Sequence, residues 1–288
     1  MGRIANSWSL TRESWRVLCA DKSLMVFPAL SAAASIAVFA SFALPVVALF
    51  ASGTLTTDHV RADPVYKVYG LLLSFLFYAT TFFTATYCNV ALVGCALERF
   101  EGKPTSFRRG IQIANSRIAQ ILAWSLVAAT VGTILRAIEE RAGFIGRIVI
   151  GLIGLAWAVA TFFVVPVLVV EGVGPIDAVR RSAGIIRQKW GEALIVTAGI
   201  SLVLAAAVIG VVLLTAALVV GAALLTQHWA LPVAVGSLGL IAVILVALVG
   251  STLKEIVNAA LYRFATTGDV APGFTQLSLQ GVFKPKGK

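Results

Sequence analysis

Six long apolar runs, at residues 24–52, 68–97, 118–135, 148–170, 193–225 and 230–253, constrain this chain more than any other feature. A helix rises about 1.5 Å per residue, so roughly 20 apolar residues cross the ~30 Å hydrocarbon core of a bilayer. Each run meets or approaches that length. Inside hydrocarbon the backbone must satisfy its own hydrogen bonds, which a helix does within one segment. The pattern therefore predicts an all-α integral membrane bundle of six transmembrane helices in three hairpins. Composition agrees: 59% of the 288 residues are hydrophobic and 12% charged, against about 25% charged in a soluble domain. The first, second and fifth runs exceed the bilayer thickness, which implies tilt, kinking or projection, with Pro28 and Pro45 as kink points in the first.

The formal charge of +10 would suit nucleic acid only if it formed one face, and it does not. The Lys and Arg residues sit in short segments between the apolar runs. Four precede the first run, five separate the second from the third, four separate the fourth from the fifth, and four follow the sixth. The alternate loops carry two, three and none, with Lys254 at the end of the sixth run left aside. Short basic loops stay on the cytoplasmic side. Both termini are therefore expected in the cytoplasm, in a bacterial-type inner membrane, and nucleic acid is not an expected partner. Residues 1–22 lack the apolar core and cleavage site of a secretory signal.

The basic segments share a helical periodicity. In the first, Ile4, Trp8, Trp15 and Leu18 recur at helical spacing while Arg3, Arg12 and Arg16 take other directions, the pattern of a helix lying on anionic headgroups. Residues 107–117 and 179–190 look alike, and setting Phe107-Arg108-Arg109 over Val179-Arg180-Arg181 aligns Ile113 with Ile185, Arg117 with Lys189 and Leu122 with Leu194 without a gap. The ends of the second and sixth runs also match, Asn89-Val90-Ala91-Leu92 with Asn258-Ala259-Ala260-Leu261. Each even-numbered run stops at Gly followed by Pro, in Gly102 and Pro104, Gly172 and Pro175, and Gly268 and Pro272. This is helix-stop chemistry: a left-handed residue, then one that cannot continue the helix. A single domain, 1–288, follows: interfacial helices 1–23, 98–117 and 171–192, hairpins 24–97, 118–170 and 193–265, and a tail 266–288. A repeat of spans running in one direction would place its axis along the membrane normal.

The run Pro166-Val167-Leu168-Val169-Val170-Glu171-Gly172-Val173-Gly174-Pro175-Ile176-Asp177-Ala178-Val179-Arg180-Arg181-Ser182 resembles the signature after the fourth span of a six-span superfamily. That superfamily includes the membrane domain attached to some glycerophosphodiester phosphodiesterases and several uncharacterised bacterial and archaeal families. The ending Ala260-Leu261-Tyr262-Arg263-Phe264-Ala265 with Gly268 and Phe274, and the opening Ser7-Trp8 to Ser14-Trp15, resemble one of those uncharacterised families. The resemblance implies a six-span fold, not an activity.

Ionisable groups within a bilayer cost about 2.5–3.5 kcal/mol each on insertion scales. Lys254 and Glu255, with Asn258 and the repeat-related Asn89, are therefore the candidate intramembrane polar cluster. Lys254 and Asn258 share one helix face, Glu255, Ser251 and Tyr262 another, and Asn89 and Asn258 are expected to face the bundle interior. A second polar stripe, Ser74, Tyr78, Thr81 and Cys88 of the second run, reads as helix-packing hydroxyls. Ala217 and Gly221, four apart, suggest close packing of the fifth run. Arg12, Arg16, Arg108, Arg109, Arg180 and Arg181 are the candidate contacts to anionic lipid headgroups. Of three cysteines, Cys19, Cys88 and Cys95, the last two share a helix face, and no disulfide framework fits. His59 and His228 fall in outside loops where nothing enforces ligand convergence, so neither a metal site nor a cofactor is expected. Without a catalytic or phosphate-binding motif, the reading is a non-enzymatic membrane protein that organises lipid or assembles with itself or a partner. The alternative is a transporter or channel for a small solute, ion or lipid.

Overall fold

A computed structural model describes residues 3–56, 63–188, 192–225 and 229–275. Among these, every regular element is helical, and six helical segments are long and apolar enough to cross a membrane. The chain is a multi-pass membrane protein. A helix α1 (Arg3–Ala20) and a 3-10 turn (Lys22–Met25) lead into α2 (Val26–Ala51), the first span. The second span, α3 (Pro64–Phe100), is followed by a short α4 (Phe107–Ser116) and the third span, α5 (Ile118–Arg141). The fourth comprises α6 (Phe144–Ala160) and α7 (Val164–Val170), then α8 (Pro175–Gln188) precedes α9 (Glu192–Leu225) and α10 (Ala230–Thr267), the fifth and sixth spans.

Local chemistry sets these boundaries. Asp63 accepts from the Val65 N–H at 2.9 Å with Pro64 at the first helical position, and Ser106 accepts from the Arg109 N–H at 3.2 Å to start α4, both standard N-terminal arrangements. Gly102, Gly172 and Gly268 all adopt the left-handed conformation, at φ 76°, 63° and 80°, as the Gly–Pro stops anticipate. Pro28 lies in the first turn of α2, where its missing N–H costs nothing, and α2 continues through Pro45.

Two boundaries depart from the apolar runs. The sixth helix continues to Thr267, because past Lys254 and Glu255 it still buries Ile256, Val257, Ala260 and Leu261. The fourth run is one span built of two helices, interrupted at Thr161–Phe163. Pro166 causes this. It has no N–H to give the Phe162 carbonyl four residues back, so α7 starts afresh with Pro166 in its first turn. The Asn258 amide donates to that freed Phe162 carbonyl at 3.2 Å, and the Phe163 N–H donates to the Ser182 hydroxyl at 2.9 Å. Unmet backbone groups cost several kcal/mol in hydrocarbon, roughly, so α10 and α8 supply what the broken ladder lacks.

The core gathers at the end of the bundle that carries α1, α4, α8 and the chain's last described residues; we call this the basic end. There α3, α7 and α10 meet, burying Val90–Val93, Val167, Leu168 and Ala259–Leu261. The far halves of α2, α3, α9 and α10 present apolar side chains outward, as lipid-facing surface does. Lipid tails are as apolar as these side chains, so close packing and hydrogen bonds must hold the helices together. At Gly110 an added Cβ would collide with the Phe27 ring, and at Gly250 it would lie 2.5 Å from Leu204. Gly239 meets Thr215 more closely still, whereas Gly221 has nothing within 4 Å. The tight approach of α9 to α10 thus runs through the glycines of α10, not through Ala217 and Gly221.

The short helices pack on protein. Gly110 and Ala114 of α4, Ala178, Ser182 and Ile186 of α8, and Ser14 and Leu18 of α1 are buried at four-residue spacing. The aligned pairs Gly110 with Ser182 and Ala114 with Ile186 occupy matching inward positions. Much of the amphipathic pattern therefore serves the bundle, although Trp15, Phe107 and Ile176 remain exposed. Only the backbone of Trp8 is described, and Lys189 and Trp190 lie outside the described residues.

Replacing Asn258 by Ala should lower thermal stability in detergent by about 1 kcal/mol. In a Pro166→Ala background, where residue 166 regains an N–H for Phe162, the same replacement should cost less than half as much. Equal costs in the two backgrounds would refute this account of the break.

Candidate functional site

The anticipated polar cluster divides between two places. Asn258 is buried, holds the Phe162 carbonyl through its amide, and neighbours the Glu255 carboxylate. Asn89, Lys254 and Glu255 instead line a cleft of about 500 Å³ between α2, α3 and α10, with Ser31, Ser35 and Ser251. Asn89 is half-buried and Lys254 exposed. Of the two asparagines, Asn258 is thus the inward one, while Asn89 faces the cleft. Lys254 and Glu255, about 100° apart on the helix, do not pair with each other. One Glu255 carboxylate oxygen and the Asn258 side-chain oxygen are buried with no hydrogen-bond partner among the described residues.

Polarity in the cleft is graded. Lys254, Glu255, Ser251, Asn89 and Ser31 lie toward the basic end, and Ile244, Ala247 and Leu248 lie deeper. From Lys254 to Ile244 the helix descends about 15 Å. Sequence reasoning found the three polar residues but not the serines of α2, because single hydroxyls in an apolar run are ordinarily satisfied by their own helix.

The six arginines follow three patterns. Arg109 donates through Nε and Nη2 to the Glu98 carboxylate at 2.6–3.1 Å, and Arg181 reaches Glu171 at 3.0 Å. Tyr262 also donates to Glu171, at 3.3 Å. The two arginines are equivalent in the repeat, and each ties its short helix to the end of the preceding even span. Arg180 sits 3.4 Å from Asp177 in an exposed pair, which contributes little. Arg12, Arg16 and Arg108 are exposed and without an ion pair among the described residues. Arg16 lines a second cavity, about 420 Å³, with Arg99 and Lys103. His59 and His228 lie outside the described residues.

Asp21, which sequence reasoning passed over, is the junction of this end. It caps the 3-10 turn through the Ser23 N–H at 3.0 Å, accepts from the Ser23 hydroxyl at 2.6 Å and from Thr105, and pairs with Arg99 at 3.1 Å. It thereby joins the α1–α2 connection to the α3–α4 loop. Burial pushes its carboxyl up, but the hydrogen bonds from Ser23 and Thr105 and the Arg99 guanidinium outweigh burial and hold it below the usual range. A carboxyl depressed on folding adds stability above its unfolded pKa, about 3.9, and that stability is lost as pH falls through the lower folded value. Asp21→Asn should cost on the order of 2 kcal/mol at pH 7, a deficit that narrows below about pH 4. A deficit constant from pH 7 to pH 3 would contradict the ionised junction.

No curated protein and no solved structure matches the chain. One protein-family model does, over residues 68–273, from the second span through the last helix stop and so including α3, α7 and α10. The chain belongs to that family, described as a family of unknown function (DUF6159).

Proposed function

We propose that this is a non-enzymatic membrane protein that organises anionic lipid around its basic end, in the cytoplasmic leaflet of a bacterial-type inner membrane with both termini cytoplasmic. The carrying observation is the set of exposed arginines without an ion pair among the described residues, Arg12, Arg16 and Arg108, on two of the three short helices at that end. Arg16 also lines a cavity with Arg99 and Lys103, whose charges are paired with Asp21 and Glu101, and exposed Trp15 and Phe107 beside Arg16 and Arg108 suit the headgroup boundary. The charge imbalance between alternate loops supports the orientation. The far halves would be covered by lipid tails, by a second copy or by another membrane protein. Kinship with the membrane-domain superfamily of the glycerophosphodiester phosphodiesterases belongs to the same proposal and rests on residues 166–182.

A transporter or channel remains the second reading, and one observation favours it: the discontinuous fourth span beside a polar cluster. Such breaks build substrate sites near the bilayer midplane. Here the break lies about 10 Å from the end of the span and its free backbone groups are taken by Asn258 and Ser182, which suits packing better.

Each cation near an anionic leaflet contributes about 1 kcal/mol, so the triple variant Arg12→Gln, Arg16→Gln, Arg108→Gln should retain phosphatidylglycerol roughly 100-fold less tightly, as read by native mass spectrometry. Unchanged retention would remove the proposal's main support. For orientation, cysteines placed near His59 or Trp229 should label from outside intact cells and those near Pro104 or Lys286 should not; labelling at Pro104 would invert the topology.

A further inference from the structure

We propose that the cleft between α2, α3 and α10 binds one phospholipid bearing a primary ammonium, of the ethanolamine type, with its phosphate at Lys254, its ammonium at Glu255 and its glycerol and acyl end along Ile244, Ala247 and Leu248. Charge complementarity and the polarity gradient carry this. Lys254 and Glu255 are opposite charges on one cleft wall that form no ion pair with each other, so the wall offers a cation and an anion side by side. A zwitterionic headgroup presents the complementary pair. One Glu255 oxygen has neither solvent contact nor a hydrogen-bond partner among the described residues, and an ionisable group left so at membrane depth marks a site whose partner should be sought. Terminal carboxylate torsions are broad, so either oxygen can turn to a donor entering from the cleft.

The chemistry selects among headgroups. A primary ammonium brings N–H donors and a positive charge to the carboxylate. A quaternary choline brings charge but no donor, and a glycerol headgroup brings hydroxyl donors without the positive charge. Ser31, Ser251 and Asn89 can meet the phosphate and glycerol oxygens. Below them the wall becomes apolar, which fits an amphiphile and not a free polar solute. The volume, about 500 Å³, lies within the roughly 300–1,000 Å³ of ordinary ligand sites.

The test uses the full chain, delipidated in detergent and equilibrated with equal mole fractions of phosphatidylethanolamine, phosphatidylcholine and phosphatidylglycerol, with retained lipid counted by native mass spectrometry. At this cleft the wild type should prefer ethanolamine to choline lipid about tenfold. Glu255→Gln should bring the two near parity, whereas Lys254→Gln should weaken both alike and leave their ratio unchanged, because both carry the phosphate. Ala32→Leu with Ala247→Leu, which fills the cleft from exposed positions, should abolish the ethanolamine adduct even if Glu255→Gln fails to fold. The arginine triple variant should leave the ethanolamine-to-choline ratio untouched, which separates this site from retention of anionic lipid at the short helices. Parity in the wild type, preference for phosphatidylglycerol over phosphatidylethanolamine at the cleft, or a ratio that survives either Glu255→Gln or the filled cleft would overturn the assignment.

Discussion

The arrangement of the basic end depends on a requirement that hydrocarbon places on any chain within it: each backbone donor and acceptor needs a partner inside the protein. Pro166 breaks the ladder of the fourth span, and the protein answers with two side chains from different elements, Asn258 of α10 on the Phe162 carbonyl and Ser182 of α8 on the Phe163 N–H. Those two bonds fix where α7 sits between its neighbours, and α3 then packs against both α7 and α10. A soluble bundle could leave such groups to water. This one cannot, so the break becomes a point of convergence.

Much of this was readable because the rules involved are local. Apolar length announced six spans, and Gly102, Gly172 and Gly268 announced their ends, since a glycine followed by proline both permits the left-handed turn and forbids continuation. An amide's need for a partner predicted inward positions for both asparagines, which Asn258 takes and Asn89, facing the cleft, does not. The rest depended on tertiary facts. Pro166 was visible, yet hydropathy scores the run 148–170 as unbroken, and only the positions of Asn258 and Ser182 make the break affordable. Lys254 and Glu255 close the apolar run, yet the helix goes on to the anticipated stop at Gly268 because its other faces remain buried against α3 and α7. Asp21 was overlooked because a lone acidic residue before an apolar run resembles an ordinary cap until Arg99 and Thr105 arrive from some 80 residues away.

The internal repeat gains physical content from its paired features. Arg109 with Glu98 and Arg181 with Glu171 are the same device twice: a short helix fastened back to the end of the even span before it. The positions after each arginine, Gly110 and Ser182, are small and buried, which lets the short helix approach closely. At α1 the residues Arg12, Glu13 and Ser14 repeat the order of a basic residue two before a small buried one, but an acid stands where the second arginine would be. Glu13 is buried and accepts from Thr275 at 2.8 Å. The third short helix is thus fastened with the opposite charge, to the segment that follows the sixth span. Across the bundle, the register of a short helix is held by one charged side chain reaching the end of an even span or the segment beyond it.

That device bears on which cations can serve lipid. An arginine in a fork with a carboxylate has spent its donors and most of its charge, as Arg109 has on Glu98. It contributes geometry, and a headgroup would have to compete with a fixed partner. Arg12, Arg16 and Arg108, on the outward faces of the same helices, carry no such partner among the described residues. Arg108 and Arg109 thus divide into a member without an ion pair among the described residues and a structural one, within a single step of sequence. About 100° of helix rotation separates the two, enough to aim one at the protein and leave the other for the leaflet. Counting basic residues locates the leaflet, but only the position of each neighbouring carboxylate tells which of them can act on it.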